Sequence, residues 1–408
     1  MKKLAGKLLA GLLVLGLVLG AIGCGGGGEA TPTPTPTTKV EYIKMGSSIP
    51  LTGVGAYLGA PVQKTVDLVI EEFNDAGGVE IGGVKYLIDM TWYDDAYDPV
   101  KGRTNVEKLV NQDKVKYLVG LFGTTLAASS QIAMDNKVLV TTTSTGGTEV
   151  ISPKKPYVFR PMTGATVGAY SIMNWIIREY GVKRFAILQL EVTSAIDLTE
   201  FNRKVCSELG VGTDVIYYPI TTMDFYPMLT KLLSKNPDLL FVGPDALKQA
   251  RQLGYTGIAT GMMTTTNVAA VVNTAGVAEA EGYLITQNLD WKVTPEATSF
   301  HDKYVAKYGG YDEESLTYVG LIEAIIQGIK KANSVDPTDV MLALDQMGAE
   351  NEPIHLPIGD AYWAGAQRYG GLKHQLVTPI HMMDIHNGES RLLEVLPPPS
   401  DAELVPLD

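Results

Sequence analysis

Cysteine is almost missing from this chain: Cys24 and Cys206 are the only two in 408 residues. Two cysteines cannot build a disulfide framework. Histidine is as scarce, with five residues at 301, 355, 374, 381 and 386. They show no His-Glu-x-x-His spacing and no cysteine partner, which removes the common zinc sites. There is no Gly-x-Ser-x-Gly elbow for a serine nucleophile and no Walker A loop for a nucleotide triphosphate. Basic residues are too few for a nucleic-acid binder: 33 Lys+Arg face 45 Asp+Glu, a net charge of −12, and no Lys/Arg run carries interleaved aromatics. These absences leave no nucleic-acid partner, no metal, no cofactor and no catalytic group.

Long apolar runs are also lacking, with one short exception. Lys2, Lys3 and Lys7 precede Leu8–Ile22, fifteen apolar or glycine residues. A membrane-spanning helix needs about 20; this length suits the core of a secretory signal peptide. It ends in Ala21-Ile22-Gly23-Cys24, which resembles the lipobox at which bacterial lipoproteins are lipidated on cysteine. Residues 1–23 are therefore expected to be a lipoprotein signal peptide and Cys24 the lipidation site. Gly25–Gly28 and the Thr-Pro repeat of 31–38 have no apolar face to bury, so 24–39 is expected to be a tether. Cys206 sits among Phe201, Val205 and Leu209 at helical spacing, which predicts a buried, inert thiol.

Beyond the tether, strand and helix patterns alternate. Strands are expected at 42–46, 84–92, 117–122 and 138–141, with helices carrying Val62, Val66, Val69, Ile70 and Phe73, then Pro99 to Val110. The alternation restarts after Arg160: helices at 166–180, 196–209, 224–235 and about 245–253, and strands at 184–190, 214–218, 238–243 and 282–287. Three helices then follow without strands, at about 295–308, 313–332 and 337–347. Last come 375–385 and 391–396, flanking the hairpin turn signal Asn387-Gly388. The fold class is α/β, two Rossmann-like lobes with interleaved chain and largely parallel sheets. One lobe is expected over 40–160 plus about 288–355, the other over 161–287 plus about 356–408.

Several segments carry a resemblance. Met45-Gly46-Ser47-Ser48-Ile49-Pro50-Leu51-Thr52-Gly53, Glu71-Glu72-Phe73-Asn74-Asp75-Ala76-Gly77-Gly78-Val79 and Tyr93-Asp94-Asp95 with Asp98-Pro99 resemble the leucine/isoleucine/valine-binding family. Tyr157-Val158-Phe159-Arg160, Asn236-Pro237-Asp238 and Lys248 to Gly254 continue the likeness, which runs from about 42 to 397. These are type I periplasmic binding proteins of ABC importers. The resemblance implies two lobes joined by three crossing segments and closing on a small-molecule ligand. It also implies delivery of the ligand to a permease with cytoplasmic ATPases, by a lipid-anchored monomer outside the membrane. A ligand-sensing lipoprotein is the alternative role.

Ligand is expected beyond the carboxyl ends of the strands. Phe122-Gly123-Thr124-Thr125 and Thr143-Ser144-Thr145 lie at two such ends; free N–H groups and small hydroxyls there suit an anion. In the family, the matching segments bind a ligand carboxylate. Tyr57 and Leu58, Met262 and Met263, and Ser194 complete the candidates. The acids that amino-acid binders carry for the ammonium group are missing after Arg160 and around Ala259–Asn267. A desolvated ammonium without a carboxylate is costly, so an aromatic or branched organic acid is expected over an α-amino acid, with Glu191 and Asp245 as the remaining acids. Asp94, Asp95 and Asp98 could be mistaken for an acid–base cluster, but Asp98-Pro99 reads as a helix cap with proline at N1.

Overall fold

A computed structural model describes residues 39–144, 150–162, 167–191, 193–219, 221–262, 268–286, 291–348 and 352–404. The leader, Cys24 and the tether up to residue 38 lie outside them; Lys39, expected to end the tether, instead opens the first strand, where it pairs in the sheet. No helix among the described residues is long and apolar enough to cross a membrane.

The first sheet holds six strands: β1 (Lys39–Ile49), β2 (Val79–Ile81), β3 (Val84–Asp94), β4 (Tyr117–Leu121), β5 (Leu139–Thr142) and β6 (Val158–Phe159). Their order is β2-β3-β1-β4-β5-β6. All pairs are parallel except the β2–β3 hairpin at the edge. Between them run α1 (Ala56–Asp75), α2 (Pro99–Lys108) and α3 (Gly123–Asp135). Asp98 caps α2 as its sequence predicts, accepting from Val100 N at 2.7 Å and Lys101 N at 2.9 Å, with Pro99 at N1.

After α4 (Ala169–Tyr180) the second sheet begins: β7 (Arg184–Leu190), β8 (Gly212–Tyr218), β9 (Leu239–Phe241), β10 (Ile258–Met262) and β11 (Leu284–Ile285). Its connections carry α5 (Thr193–Glu208), α6 (Tyr226–Leu233), α7 (Pro244–Gln252), α8 (Val268–Ala275) and α9 (Val277–Ala280). Then come α10 (Pro295–Tyr308), α11 (Ser315–Tyr318), α12 (Gly320–Ala332) and α13 (Pro337–Gln346). The expected single helix over 313–332 is thus two, parted at Val319. This group packs on the helix beside the first sheet: Val62, Val69 and Phe73 of α1 share one buried cluster with Phe300, Ile322 and Ile325. Burying each such side chain contributes about 1.5–3 kcal/mol.

The stretch 356–377, expected in the second lobe, packs on the first. β12 (Ile354–Leu356), β13 (Gly359–Ala364) and β14 (Gln375–Val377) form a small antiparallel sheet. Its Ile354, Ala361, Trp363 and Leu376 belong to the α1 cluster. The chain changes sheet only at Thr378-Pro379, where proline withdraws a ladder donor. The expected strand 375–385 is therefore broken, and β15 (Ile380–His386) with β16 (Glu389–Leu396) extends the second sheet, giving β16-β15-β11-β10-β9-β7-β8. Asn387 (φ 53°) and Gly388 (φ 82°) make the predicted hairpin turn.

Two threads run side by side before they leave the first sheet. Arg160 and Gln375 form a parallel bridge, with Arg160 N donating to His374 O at 2.8 Å and Leu376 N to Arg160 O at 3.0 Å.

Cys206 is fully buried with Phe201 and Val205, and burial pushes its thiol up to about 12. A maleimide at pH 8 should leave the Cys206 peptide unmodified in the native protein and label it after denaturation, as read by mass spectrometry. Native labelling would contradict the burial.

Candidate ligand site at the strand ends

β4 and β5 end side by side, and the chain leaves each in a way that frees polar groups. Gly120 has φ +71°, and a Cβ there would press on Val62 and Leu321 at 3.1–3.2 Å. Glycine lets β4 turn sharply toward α3. Phe122 is the N-cap of α3 in extended conformation, and no side chain caps the helix. The N–H groups of Gly123, Thr124 and Thr125 therefore lack the usual capping acceptor, at the positive end of the helix dipole.

The β5 exit faces them. A Cβ on Gly123 would lie 2.9 Å from Ser144 Oγ, so the two segments are in contact. Thr142 Oγ1 donates to Leu121 O at 2.6 Å and accepts from Ser144 N at 3.0 Å, which fixes the turn. The hydroxyls of Thr124 and Thr143 are buried and have no hydrogen-bond partner among the described residues. A buried polar group left unpaired costs about 1–3 kcal/mol. Ser47 Oγ, near the carboxyl end of β1, is a third such hydroxyl.

Thr125 differs from its neighbour. Its hydroxyl is buried and donates to Asp95 Oδ2 at 2.8 Å, so only its backbone N–H faces the cradle formed by the two segments. Asp95 also accepts from Ser48 Oγ at 3.2 Å and from Tyr97 N at 2.9 Å. It ties β1, the β3 exit and α3 together. Asp94 orders the first loop: it accepts from Leu51 N, Thr52 N, Thr52 Oγ1 and Ala96 N at 2.6–3.2 Å, and from Lys101 Nζ at 3.3 Å. Burial alone would raise the Asp94 carboxyl; these bonds outweigh it and hold it well below the usual carboxylate range. Both acids are structural.

Tyr57, on the first turn of α1, is 75% exposed, Leu58 is half-buried, and Phe122 meets the Tyr97 ring edge-on at 6.2 Å. On the second sheet, Glu191 is exposed at the end of β7 and Asp245 is exposed in the first turn of α7. Ser194 lies in the first turn of α5 and Met262 ends β10, but their side chains lie outside the described set, as do Thr145 and Met263 entirely. Thr286, which the sequence reading missed, follows β11 fully buried with an unpartnered hydroxyl. Its signal was present: it is the first hydroxyl after a strand's carboxyl end. No group of His, Cys, Asp and Glu among the described residues could hold a metal.

Two arginines border this region. Arg160 is 1% exposed and donates from Nη1 to Ser144 O at 3.1 Å, from Nη2 to Tyr369 Oη at 2.6 Å and from Nε to Gln375 Oε1. Arg368 lies 5.5 Å from the ring centroids of both Phe201 and Tyr369.

The comparisons with known proteins agree on one family. A profile described as "Periplasmic binding protein" matches residues 42–389. The Leu/Ile/Val-binding protein homolog 1 of Brucella suis is 26% identical over 334 residues, 78% of this chain and 85% of that protein. The branched-chain amino acid transporter substrate-binding protein LivJ of Streptococcus pneumoniae, solved with isoleucine, superposes with a TM-score of 0.70 at 20% identity, covering 88% of this chain and all of that one. A solute-binding protein of an ABC transporter from Rhodopseudomonas palustris, solved with p-hydroxybenzoic acid, gives 0.71 at 18% identity, covering 88% and 98%. Matched by the family profile over most of its length and sharing the two-sheet fold of these proteins, the chain belongs to the periplasmic binding protein family, of the type I leucine/isoleucine/valine-binding kind: an extracytoplasmic solute-binding protein.

Proposed function

We propose that this protein captures a small organic acid with an apolar body and delivers it to an ABC permease. The observation that carries the reading is the pair of buried, unpartnered hydroxyls on Thr124 and Thr143, beside the uncapped start of α3. Backbone N–H groups at a helix start and hydroxyl donors together make a carboxylate cradle. Phe122, Tyr57 and Leu58 supply apolar surface beside it, and Thr286, Ser194, Met262 and Met263 would close over the ligand from the second sheet. Glu191 and Asp245 are exposed, a poor setting for pairing with a desolvated ammonium. In this reading Cys24 carries the lipid anchor, the residues from 24 to 38 are the spacer, and the protein works as a monomer. The relatives named for leucine, isoleucine and valine favour a second reading, a branched-chain amino acid as cargo.

A thermal-shift and calorimetric scan separates the two. Benzoate, 4-hydroxybenzoate, phenylacetate and isovalerate should raise the melting temperature, whereas leucine, isoleucine and valine should not. Tight binding of leucine with no response to any of the acids would reject the organic-acid reading.

A further inference from the structure

We propose that Arg368, backed by Arg160, sets the charge preference of the site, so that a ligand with net negative charge is bound and a zwitterion or neutral isostere is discriminated against. The inference rests on the carboxylate cradle proposed above and assigns the residues that select within it.

Arg160 is fully enclosed, yet each acceptor it reaches is neutral: a backbone carbonyl, a phenol and an amide. Arg368 is half-buried, and its Nε and Nη1 are buried with no hydrogen-bond partner. The Tyr369 ring is shared by the two cations, 5.9 Å from the Arg160 Cζ and 5.5 Å from the Arg368 Cζ. Burial pushes the Arg160 guanidinium below its ordinary value, and the charge on Arg368 pushes the same way. Neither arginine forms an ion pair with a carboxylate among the described residues. Two desolvated like charges without a counter-ion are unfavourable, because a buried cation needs a paired anion to offset its lost hydration. Arg160 also holds the carbonyl of Ser144, which is part of the cradle. The charge of Arg160 therefore stands behind the Ser144 wall of the cradle, and Arg368 adds to it across the shared Tyr369 ring. Arg368 also lies over the Phe201 ring of α5, 5.5 Å from its centroid, so it contacts the second-sheet side as well.

An acid without an amino group supplies the missing negative charge. A zwitterion supplies none in net, and brings a cation toward two others. Arg368 is a specificity residue here because its free donors make no bond that the fold itself requires.

The test is calorimetry on the full-length protein, using the tightest-binding acid of the scan, its neutral amide, and leucine. Wild type should bind the acid at least 100-fold more tightly than the amide, and added salt should weaken the acid. Arg368→Gln should weaken the acid about tenfold and flatten the salt dependence, while Arg368→Lys should recover most of the loss. Equal affinity of wild type for acid and amide would overturn the inference, and this arm needs no variant to fold. A folded Arg368→Gln protein with unchanged acid affinity would also overturn it, leaving the cradle reading intact. If wild type binds none of the acids, the cradle reading and this inference fall together.

Discussion

Asp95→Ala is expected to lower stability by about 4 kcal/mol and to weaken ligand binding with it. Asp95 is fully buried and is the common acceptor of Ser48 Oγ, Thr125 Oγ1 and Tyr97 N. Removing it strands three donors, at about 1–3 kcal/mol for each that stays buried and unpaired, less what relaxation recovers. Charge-assisted bonds stand at the upper end of that range. Asp95→Asn keeps the shape and one acceptor oxygen, so it should cost about half as much. Urea unfolding reads this as a lower midpoint at unchanged m-value. The loss should also reach the ligand, because Thr125 belongs to the first turn of α3, whose N–H groups line the cradle. A cost under about 1 kcal/mol for the alanine variant would show that the triad of donors finds other partners.

The second large effect is steric. Gly320 opens α12, and a Cβ placed there would lie 2.1 Å from the carbonyl oxygen of Pro161. The obstacle is backbone, in the crossing segment directly after Arg160, so it cannot rotate away. Gly320→Ala should cost about 3 kcal/mol, at the upper end of what overpacking usually costs. It should also raise the ligand Kd, since Pro161 and Arg160 move together and Arg160 holds Ser144. Gly310→Ala is the control: nothing lies within 4 Å of its added Cβ, and its φ is not in the left-handed region. That variant should change stability by about 0.5 kcal/mol or less. Equal effects of the two alanines would refute the steric account.

Much of the fold was legible because local chemistry decided it. Pro295 and Gly309 bracket α10 as a proline start and a glycine stop, and its bounds match the sequence expectation. Strand β7 matches as well, being a run of apolar residues buried on both faces. What could not be read depended on distant partners. The small β12–β13–β14 sheet owes its place to packing against α1, roughly three hundred residues away in sequence, and local pattern carries no sign of that. The site divides in the same way. The threonine pairs at the ends of β4 and β5 were visible as hydroxyls after strands. That Thr125 turns inward to Asp95, while Thr124 stays unpartnered, was not visible, because both look alike in sequence. The arginines were hidden for a further reason: Arg160 meets Tyr369 only because two threads of the chain lie together.

Those paired threads have a mechanical consequence. Two threads joined by backbone bonds at Arg160 and Gln375 form a short ribbon on the side of the first sheet, ahead of the change of sheet at Thr378-Pro379. The ribbon also carries the Arg160 side chain, whose guanidinium grips the Ser144 carbonyl. A displacement of either thread is thereby expected to be felt at the Ser144 wall of the proposed ligand cradle.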